Sequence, residues 1–159
     1  MSTLPDSAPH SEPGKPGPSL KARALKLLSM REHTRLELER KLRVHAESAE
    51  QLAQALDALQ AKGFINEARV VESVLHRRAA RLGASRVRQE LQAKGVADSA
   101  ISDAMQHLRS TELARAREVW NKKFGQPPTD AKERAKQMRF LISRGFGAEV
   151  VRRVVQDAD

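Results

Sequence analysis

The chain has 159 residues and carries 29 Lys and Arg against 20 Asp and Glu, a formal net charge of +9. No apolar run approaches the roughly 18 residues of a membrane span, and the lack of cysteine excludes disulfides, thiolate metal sites and cysteine nucleophiles. The N-terminus lacks the order of a secretory signal, so we expect a cytoplasmic protein. Its excess of positive charge favours an anionic partner, nucleic acid first.

The first 18 residues differ in composition from the rest of the chain. They hold five of the seven prolines, together with serines and glycines, and offer almost nothing to bury. This composition predicts a disordered tail over 1–18. From Ser19 onward no proline occurs before Pro127, and apolar residues recur at helical spacing, so the fold is predicted to be all-α. A loop is expected at 125–129, because two adjacent prolines prevent a helix there.

Three features recur in the same order at spacings of 49 and 50 residues: a leucine, a small residue four positions later, and an apolar stripe that begins six positions beyond it. The three copies start at Leu42, Leu91 and Leu141, turn at Ala46, Gly95 and Gly145, and enter the stripe at Leu52, Ile101 and Val151. Glycine suits the left-handed residue just past a helix end. Each copy is therefore predicted to contain a helix, a tight turn and a second helix.

A further apolar helix precedes each pair: one starts after Ser19, one ends near Gly83 and one starts after Thr111. Potential capping boxes mark helix starts, at Thr34 with Glu37, Ser48 with Gln51, and Asp130 with Glu133. The sequence thus predicts nine helices in three tandem three-helix repeats, over 19–64 (repeat 1), 65–110 (repeat 2) and 111–159 (repeat 3), stacked as an elongated, curved array. One compact bundle with an accidental repeat is the alternative.

Motifs of catalysis are missing from this sequence. The four histidines of the helical part stand singly, which predicts solvated side chains, and no nucleotide-binding glycine motif occurs. Carboxylate pairs lie among Lys and Arg on the helices, which is typical of solvated ion pairs. We therefore expect no enzymatic activity, no metal and no cofactor.

The positive charge is spread along the whole helical part. The net charge is −1 for 1–19, +3 for 20–64, +3 for 65–110 and +4 for 111–159. A merely solubilising surface needs no such bias in every repeat, so an anionic partner surface is the better interpretation. The cations predicted to bind a partner or nucleic acid are Arg77, Arg78, Arg81, Arg86, Arg88, Lys94, Lys122, Lys123, Arg139, Arg144, Arg152 and Arg153.

Two parts of the sequence carry motifs of a known protein family. Residues 63–69 and 83–96, with the element E-L-x-x-K-G-V, resemble the centre of the RecX family of bacterial regulatory proteins. Residues 136–146, with F-L-x-x-R-G-F, are similar to its C-terminal repeat, and the resemblance extends from about Leu20 to the end. The departures are Asn66 and Ala68 for two acids of the family's G-Y-L-D-D-E-R-F-A turn, Val70 and Val71 for its Phe-Ala, and Ala46 for a glycine.

The resemblance implies a non-catalytic protein that binds the RecA filament in its helical groove. Such a protein inhibits RecA recombinase and ATPase activity and the co-protease function of the SOS response, in DNA repair and recombination. The charge adds weak electrostatic binding to single- and double-stranded DNA, and a monomer is expected. Glu substitutions at Arg88, Lys94 and Arg144 together should abolish filament inhibition. The residues themselves leave open a general DNA- or RNA-binding module built from helix-turn-helix-like units.

Overall fold

The computed structural model describes residues 17–158, and these form nine α-helices and no strand. The helices are α1 Leu20–Met30, α2 Arg35–Leu42, α3 Ala49–Ala61, α4 Glu67–Arg78, α5 Ala84–Ala93, α6 Asp98–Arg109, α7 Glu112–Lys123, α8 Ala131–Ser143 and α9 Ala148–Gln156. A 3₁₀ turn over Arg43–His45 follows α2. The all-α prediction is confirmed, and the loop expected at 125–129 separates α7 from α8. Residues 1–16 of the predicted tail lie outside the described part of the chain.

Each repeat has its own hydrophobic core. The first core is formed by α1–α3 and includes Ile65, the second by α4–α6, and the third by α7–α9. Leu42, Leu91 and Leu141 are buried at equivalent points of the three cores, as their spacing predicts. Three separate cores favour the tandem array over the single bundle.

The third core contains a polar pair. Trp120 Nε1 donates a hydrogen bond to Gln137 Oε1 at 2.8 Å, and Gln137 Nε2 donates to the carbonyl of Gln126 at 3.1 Å. Gln137 is only 1% exposed and occupies the position at which repeats 1 and 2 bury Leu38 and Val87. Because a buried indole N–H needs an acceptor, the amide replaces the aliphatic side chain that the repeat otherwise uses.

The prediction that the first helix of repeat 2 ends near Gly83 is wrong. α4 ends at Arg78, and Gly83 is instead the N-cap residue of α5. The intervening chain turns tightly, since the amides of Arg81 and Leu82 both donate to the carbonyl of Arg78. The carbonyls of Ala79 and Leu82 then accept from a side chain of α7, and the sequence of this segment does not reveal that contact.

The three predicted cap residues all cap their helices, but the second hydrogen bond of the capping box differs between the sites. At Thr34 the capping box is complete, because its side chain accepts from the Glu37 amide while the Glu37 carboxylate accepts from the Thr34 amide. Ser48 caps α3 by accepting from the Gln51 amide, but the side-chain oxygen of Gln51 accepts from the amide of Glu47. Asp130 caps α8 by accepting from the Glu133 amide.

His33 is buried, contrary to the solvated side chain predicted from its isolation in the sequence. Its Nδ1 lies 3.0 Å from the carbonyl of Arg31, and its Nε2 lies 3.2 Å from Lys41 Nζ. This geometry fits a neutral imidazole that donates from Nδ1 and accepts at Nε2. Burial lowers the pKa of His33, which agrees with that neutral form.

Neighbouring repeats join through the ends of their middle helices. The amide of Gly83, at the start of α5, donates to the carbonyl of Arg144 at the end of α8, at 2.8 Å. Ser85 donates to the carbonyl of Gly145 from its hydroxyl, at 2.8 Å, and from its amide, at 3.3 Å. The free amides of one helix N-terminus thus satisfy the free carbonyls of another helix C-terminus.

At the joint between repeats 1 and 2 the equivalent helix ends meet, but here side chains donate the hydrogen bonds. The Thr34 hydroxyl, at the start of α2, donates to the carbonyl of Lys94 at the end of α5. Arg40 adds a bond from its guanidinium to the carbonyl of Ala93, at 3.3 Å. Among the described residues, hydrogen bonds and ion pairs connect neighbouring repeats, 1 with 2 and 2 with 3, so the repeats form a linear series.

The turn glycines allow this close approach. Gly95 and Gly145 have φ of +81° and +91°, as the turn prediction requires. A Cβ on Gly145 would overlap the Arg86 side chain and lie 2.8 Å from its backbone nitrogen, and a Cβ on Gly95 would lie 2.5 Å from Leu36 Cδ2. The equivalent Ala46 has φ −89° and follows the 3₁₀ turn. No earlier repeat docks on it within residues 17–158, so glycine is not needed there.

Candidate anionic-partner interface

The twelve cations singled out from the sequence do not form one continuous site. Eleven of them are exposed, and Lys94 is half-buried. Lys94 Nζ lies 3.4 Å from Glu37 Oε2, with only 14% of the Lys94 side chain exposed. Because this ion pair joins α5 to α2, the structure gives Lys94 a role in the joint between repeats 1 and 2.

Four of the predicted cations come together around Phe140. Arg81 comes from the segment after α4, Lys122 and Lys123 from the last turn of α7, and Arg144 from the end of α8. With Ala80, Val119 and Phe140 they line a cleft of about 300 Å³ between repeats 2 and 3. We call this the Phe140 cleft.

Phe140 organises two of these cations. Lys123 Nζ lies 5.2 Å and the Arg144 guanidinium carbon 5.0 Å from the centre of its ring. Phe124 packs edge-on against the same ring, with 5.5 Å between ring centres. Cation–π attraction therefore holds the two positive groups near one aromatic ring and restricts their positions before any partner binds.

The Phe140 cleft lacks a neutralising acid. No carboxylate lines it, and no ion pair found within residues 17–158 includes Arg81, Lys122, Lys123 or Arg144. The carbonyl ends of α7 and α8 carry the negative pole of the helix dipole, which offsets part of the repulsion between the cations. An arrangement of this kind can bind a phosphate or carboxylate group of a partner.

Arg115 positions one wall of the Phe140 cleft, and the sequence analysis missed it. Its guanidinium donates to the carbonyls of Ala79 and Leu82, at 2.8 and 2.7 Å, and of Leu108, at 3.1 Å. Burial lowers the pKa of Arg115, although it stays charged. The segment that carries Arg81 is thereby fixed to α7. The only signal in the sequence was that an arginine lies near the start of both helices, Arg115 in α7 and Arg69 in α4.

The other predicted cations lie elsewhere. Arg78 pairs with Glu90 at 3.2 Å. Arg88 lines a separate groove with Arg109, beside Glu112. Arg86 packs its side chain against the Gly145 turn. The remaining four are exposed, and no ion pair within the described residues includes them: Arg77, Arg139, Arg152 and Arg153.

The described residues contain no group of three or more His, Cys, Asp or Glu side chains that could hold a metal ion. In the same part of the chain, no helix has the length and apolar character needed to cross a membrane.

Comparisons with known proteins agree on one family. The model described as "RecX, third three-helix domain" matches residues 110–155, and "RecX, second three-helix domain" matches 66–105. "Regulatory protein RecX" of Leptothrix cholodnii is 56% identical over 145 residues, which are 91% of this chain and 92% of that protein. The Ralstonia nicotianae protein of that name is 49% identical over 141 residues, 89% of each chain. The crystal structure of RecX from Lactobacillus salivarius shares the fold, with a TM-score of 0.69 at 22% identity, covering 88% of this chain and 94% of that chain.

Proposed function

Because the chain belongs to the RecX family of regulatory proteins, we propose that it binds the RecA filament on DNA and inhibits its recombinase, ATPase and SOS co-protease activities. In this proposal the protein acts as a monomer without catalysis, and its effect comes from occupying the filament. The observation that supports the proposal most directly is the Phe140 cleft, in which four cations converge without a carboxylate.

A linear series of small helical repeats suits a long, repetitive partner. Each repeat carries a net positive charge, and the joints keep neighbouring repeats in a fixed order. A filament of nucleic acid and protein offers phosphates and acidic side chains along its length, and both are ligands for the cations of the cleft. We therefore place the first contact at Arg81, Lys122, Lys123 and Arg144.

Lys94 is left out of this contact set. Its ion pair with Glu37 stabilises the joint between repeats 1 and 2, so a Lys94→Glu variant would place two carboxylates side by side. Any loss of inhibition in the triple variant of Arg88, Lys94 and Arg144 would then mix partner binding with stability. Variants confined to the Phe140 cleft separate the two effects.

The test measures ATP hydrolysis by RecA on single-stranded DNA while the purified protein is added. We expect inhibition well below one molecule of the protein per RecA protomer. The double variant Lys122→Glu with Lys123→Glu should lose most of this inhibition and keep its helical circular dichroism spectrum. Its matched control, Lys132→Glu with Lys136→Glu, makes the same charge change at exposed positions of repeat 3 outside the cleft.

Two results would contradict the proposal. Inhibition that begins only when the protein coats free DNA would favour a general nucleic-acid-binding module, the second function that the charge permits. Equal loss of inhibition in the cleft variant and its control would mean that total charge, and not the Phe140 cleft, governs the effect. Binding to duplexes of different sequence then separates a sequence-specific reader from an electrostatic one.

A further inference from the structure

Repeat 1 contains a second basic cleft, which the sequence analysis did not single out. Its walls are formed by Arg23, Lys26 and Met30 of α1, by Lys41 of α2, and by His45 at the end of the 3₁₀ turn. The cleft has a volume of about 290 Å³, close to that of the Phe140 cleft. We call it the Met30 cleft, after the methionine at its edge, which is 75% exposed.

The Met30 cleft and the Phe140 cleft occupy the same place in their repeats. Buried residues provide the alignment, because Ala24 and Leu42 of repeat 1 correspond to Trp120 and Leu141 of repeat 3. Counted from these positions, Lys26 corresponds to Lys122 and His45 to Arg144. Lys41 stands where repeat 3 has Phe140. Both clefts therefore lie beside the first and the middle helix of a repeat, and the Phe140 cleft is completed by Ala80 and Arg81 of repeat 2.

Repeat 2 does not keep this charge pattern. The residue that corresponds to Lys41 is Glu90, which pairs with Arg78 at 3.2 Å. The residue that corresponds to His45 is Lys94, which pairs with Glu37 across the joint. The outer repeats thus present basic clefts, while the equivalent charges of the middle repeat are neutralised by ion pairs.

The cations of the Met30 cleft are available to a partner. No carboxylate lines the cleft, and no ion pair found within residues 17–158 includes Arg23, Lys26 or Lys41. Lys41 Nζ lies 3.2 Å from His33 Nε2, a neutral acceptor that leaves the ammonium charge uncompensated. The apolar side chains that line the cleft are Leu27, Met30 and Leu42, and its one ring on which a base could stack is the imidazole of His45.

We propose that the Met30 cleft binds the phosphate backbone of a nucleic acid strand, as a second point of contact on the same polyanion that reaches the Phe140 cleft. This inference extends the proposed function, since it rests on an anionic partner at the Phe140 cleft. Two equivalent basic clefts on a linear series of repeats suit a ligand whose charges recur at regular intervals. Phosphate recognition also needs no base contact, which agrees with a lining that holds three Lys and Arg side chains and no Phe, Tyr or Trp.

The test uses fluorescence anisotropy of a labelled polythymidine strand, and of a labelled mixed-sequence duplex, titrated with the full chain over a series of salt concentrations. The cleft variant is Arg23→Gln with Lys26→Gln. The control is Lys21→Gln with Lys62→Gln, which removes the same charge from exposed positions of repeat 1 that do not line the cleft. For the single strand, each lost phosphate contact should flatten the slope of log affinity against log salt by about 0.7, and for the duplex by about 0.9.

The single variant Lys26→Gln protects the test against a folding defect, since Arg23 is half-buried and Lys26 is exposed. It should flatten the slope by one contact, while the control pair leaves the slope unchanged. Flattening on the strand alone or on the duplex alone identifies which form of nucleic acid the cleft takes. Equal slopes for the cleft variants and the control would overturn the inference.

Inhibition of RecA, measured with the same variants, separates this inference from the proposed function. If the wild-type protein fails to inhibit RecA while the cleft variants still lose strand affinity, the proposed function fails and the nucleic acid cleft stands. If the cleft variants lose inhibition but bind the strand as the control does, the cleft faces an acidic protein surface. That second result overturns the inference and leaves the proposed function intact.

Discussion

The joint between repeats 2 and 3 makes a quantitative prediction for Gly145. Its φ of +91° disfavours any side chain, at a cost of about 1–2 kcal/mol. A Cβ would also overlap the Arg86 side chain, and overpacking of this kind costs about 1–3 kcal/mol. Separating the helix ends to relieve the overlap would weaken the bonds from Gly83 and Ser85, each worth about 1 kcal/mol. We expect Gly145→Ala to lower the free energy of unfolding by about 3 kcal/mol or more.

Two other glycines separate the contributions. Gly63 has φ +80°, but nothing lies within 4 Å of the position of its Cβ, so Gly63→Ala reports backbone strain alone. Gly83 has an ordinary φ of −76°, yet its Cβ would overlap backbone atoms of Gly145 and Phe146, so Gly83→Ala reports close approach alone. Gly145→Ala combines both effects and should therefore destabilise the protein more than Gly63→Ala does.

Urea unfolding followed by far-ultraviolet circular dichroism measures all three variants. The two joint variants should also unfold with a smaller dependence on urea, because repeat 3 then unfolds separately from its neighbour. Gly63→Ala should keep the parental slope and lose about 1 kcal/mol. If Gly145→Ala costs no more than Gly63→Ala, the close approach of α8 to α5 is not what requires glycine, and the account of the joint fails.

Three further predictions concern other parts of the array. Ala46→Gly should change the free energy of unfolding by less than about 1 kcal/mol in urea titrations, because no neighbouring repeat docks on that turn; a large loss would reveal a contact there. Gln137→Leu should cost about 1–3 kcal/mol in thermal or urea melts, since it leaves the buried Trp120 N–H without its acceptor, and a neutral result would refute that bond's importance. Burial raises the pKa of Glu37, but hydrogen bonds from Arg31 and from the Thr34 amide and the charge of Lys94 outweigh it and hold that pKa at about 2. A lowered pKa contributes stability above pH 4.5 that is lost as the pH falls toward 2, about 3 kcal/mol in all, so urea midpoints should fall over that range in the parent and much less in Glu37→Gln.

The repeats were predictable because core positions follow a periodic rule. Leu42, Leu91 and Leu141 mark the same buried point in each copy, and a helix that buries one face must repeat its apolar residues at fixed spacing. Gly95 and Gly145 were predictable as left-handed turns for a similar local reason. Their second role, close approach to the preceding repeat, depends on how repeats dock and has no local signature.

The candidate site was predictable only as a set of residue types. Lys122 and Arg144 lie far apart in sequence and come together because α7 packs against α8, while the packing of repeat 3 on repeat 2 adds Arg81. The ion pair of Lys94 with Glu37 could not be predicted, because the local sequence around a solvated lysine and around one that pairs across a joint is the same. A comparison of equivalent positions in the three repeats would have identified Gln137, a polar residue at a position where the other two repeats bury aliphatic side chains.

The backbone character of the joint has a consequence for divergence within the family. Between repeats 2 and 3, the amides of Gly83 and Ser85 bond to the carbonyls of Arg144 and Gly145, and such bonds place little demand on the side chains around them. Substitutions on the outer faces can therefore accumulate while the order and angle of the repeats persist, provided that Gly83 and Gly145 remain glycine. Such tolerance is compatible with the fold shared with the crystal structure of RecX from Lactobacillus salivarius at 22% identity.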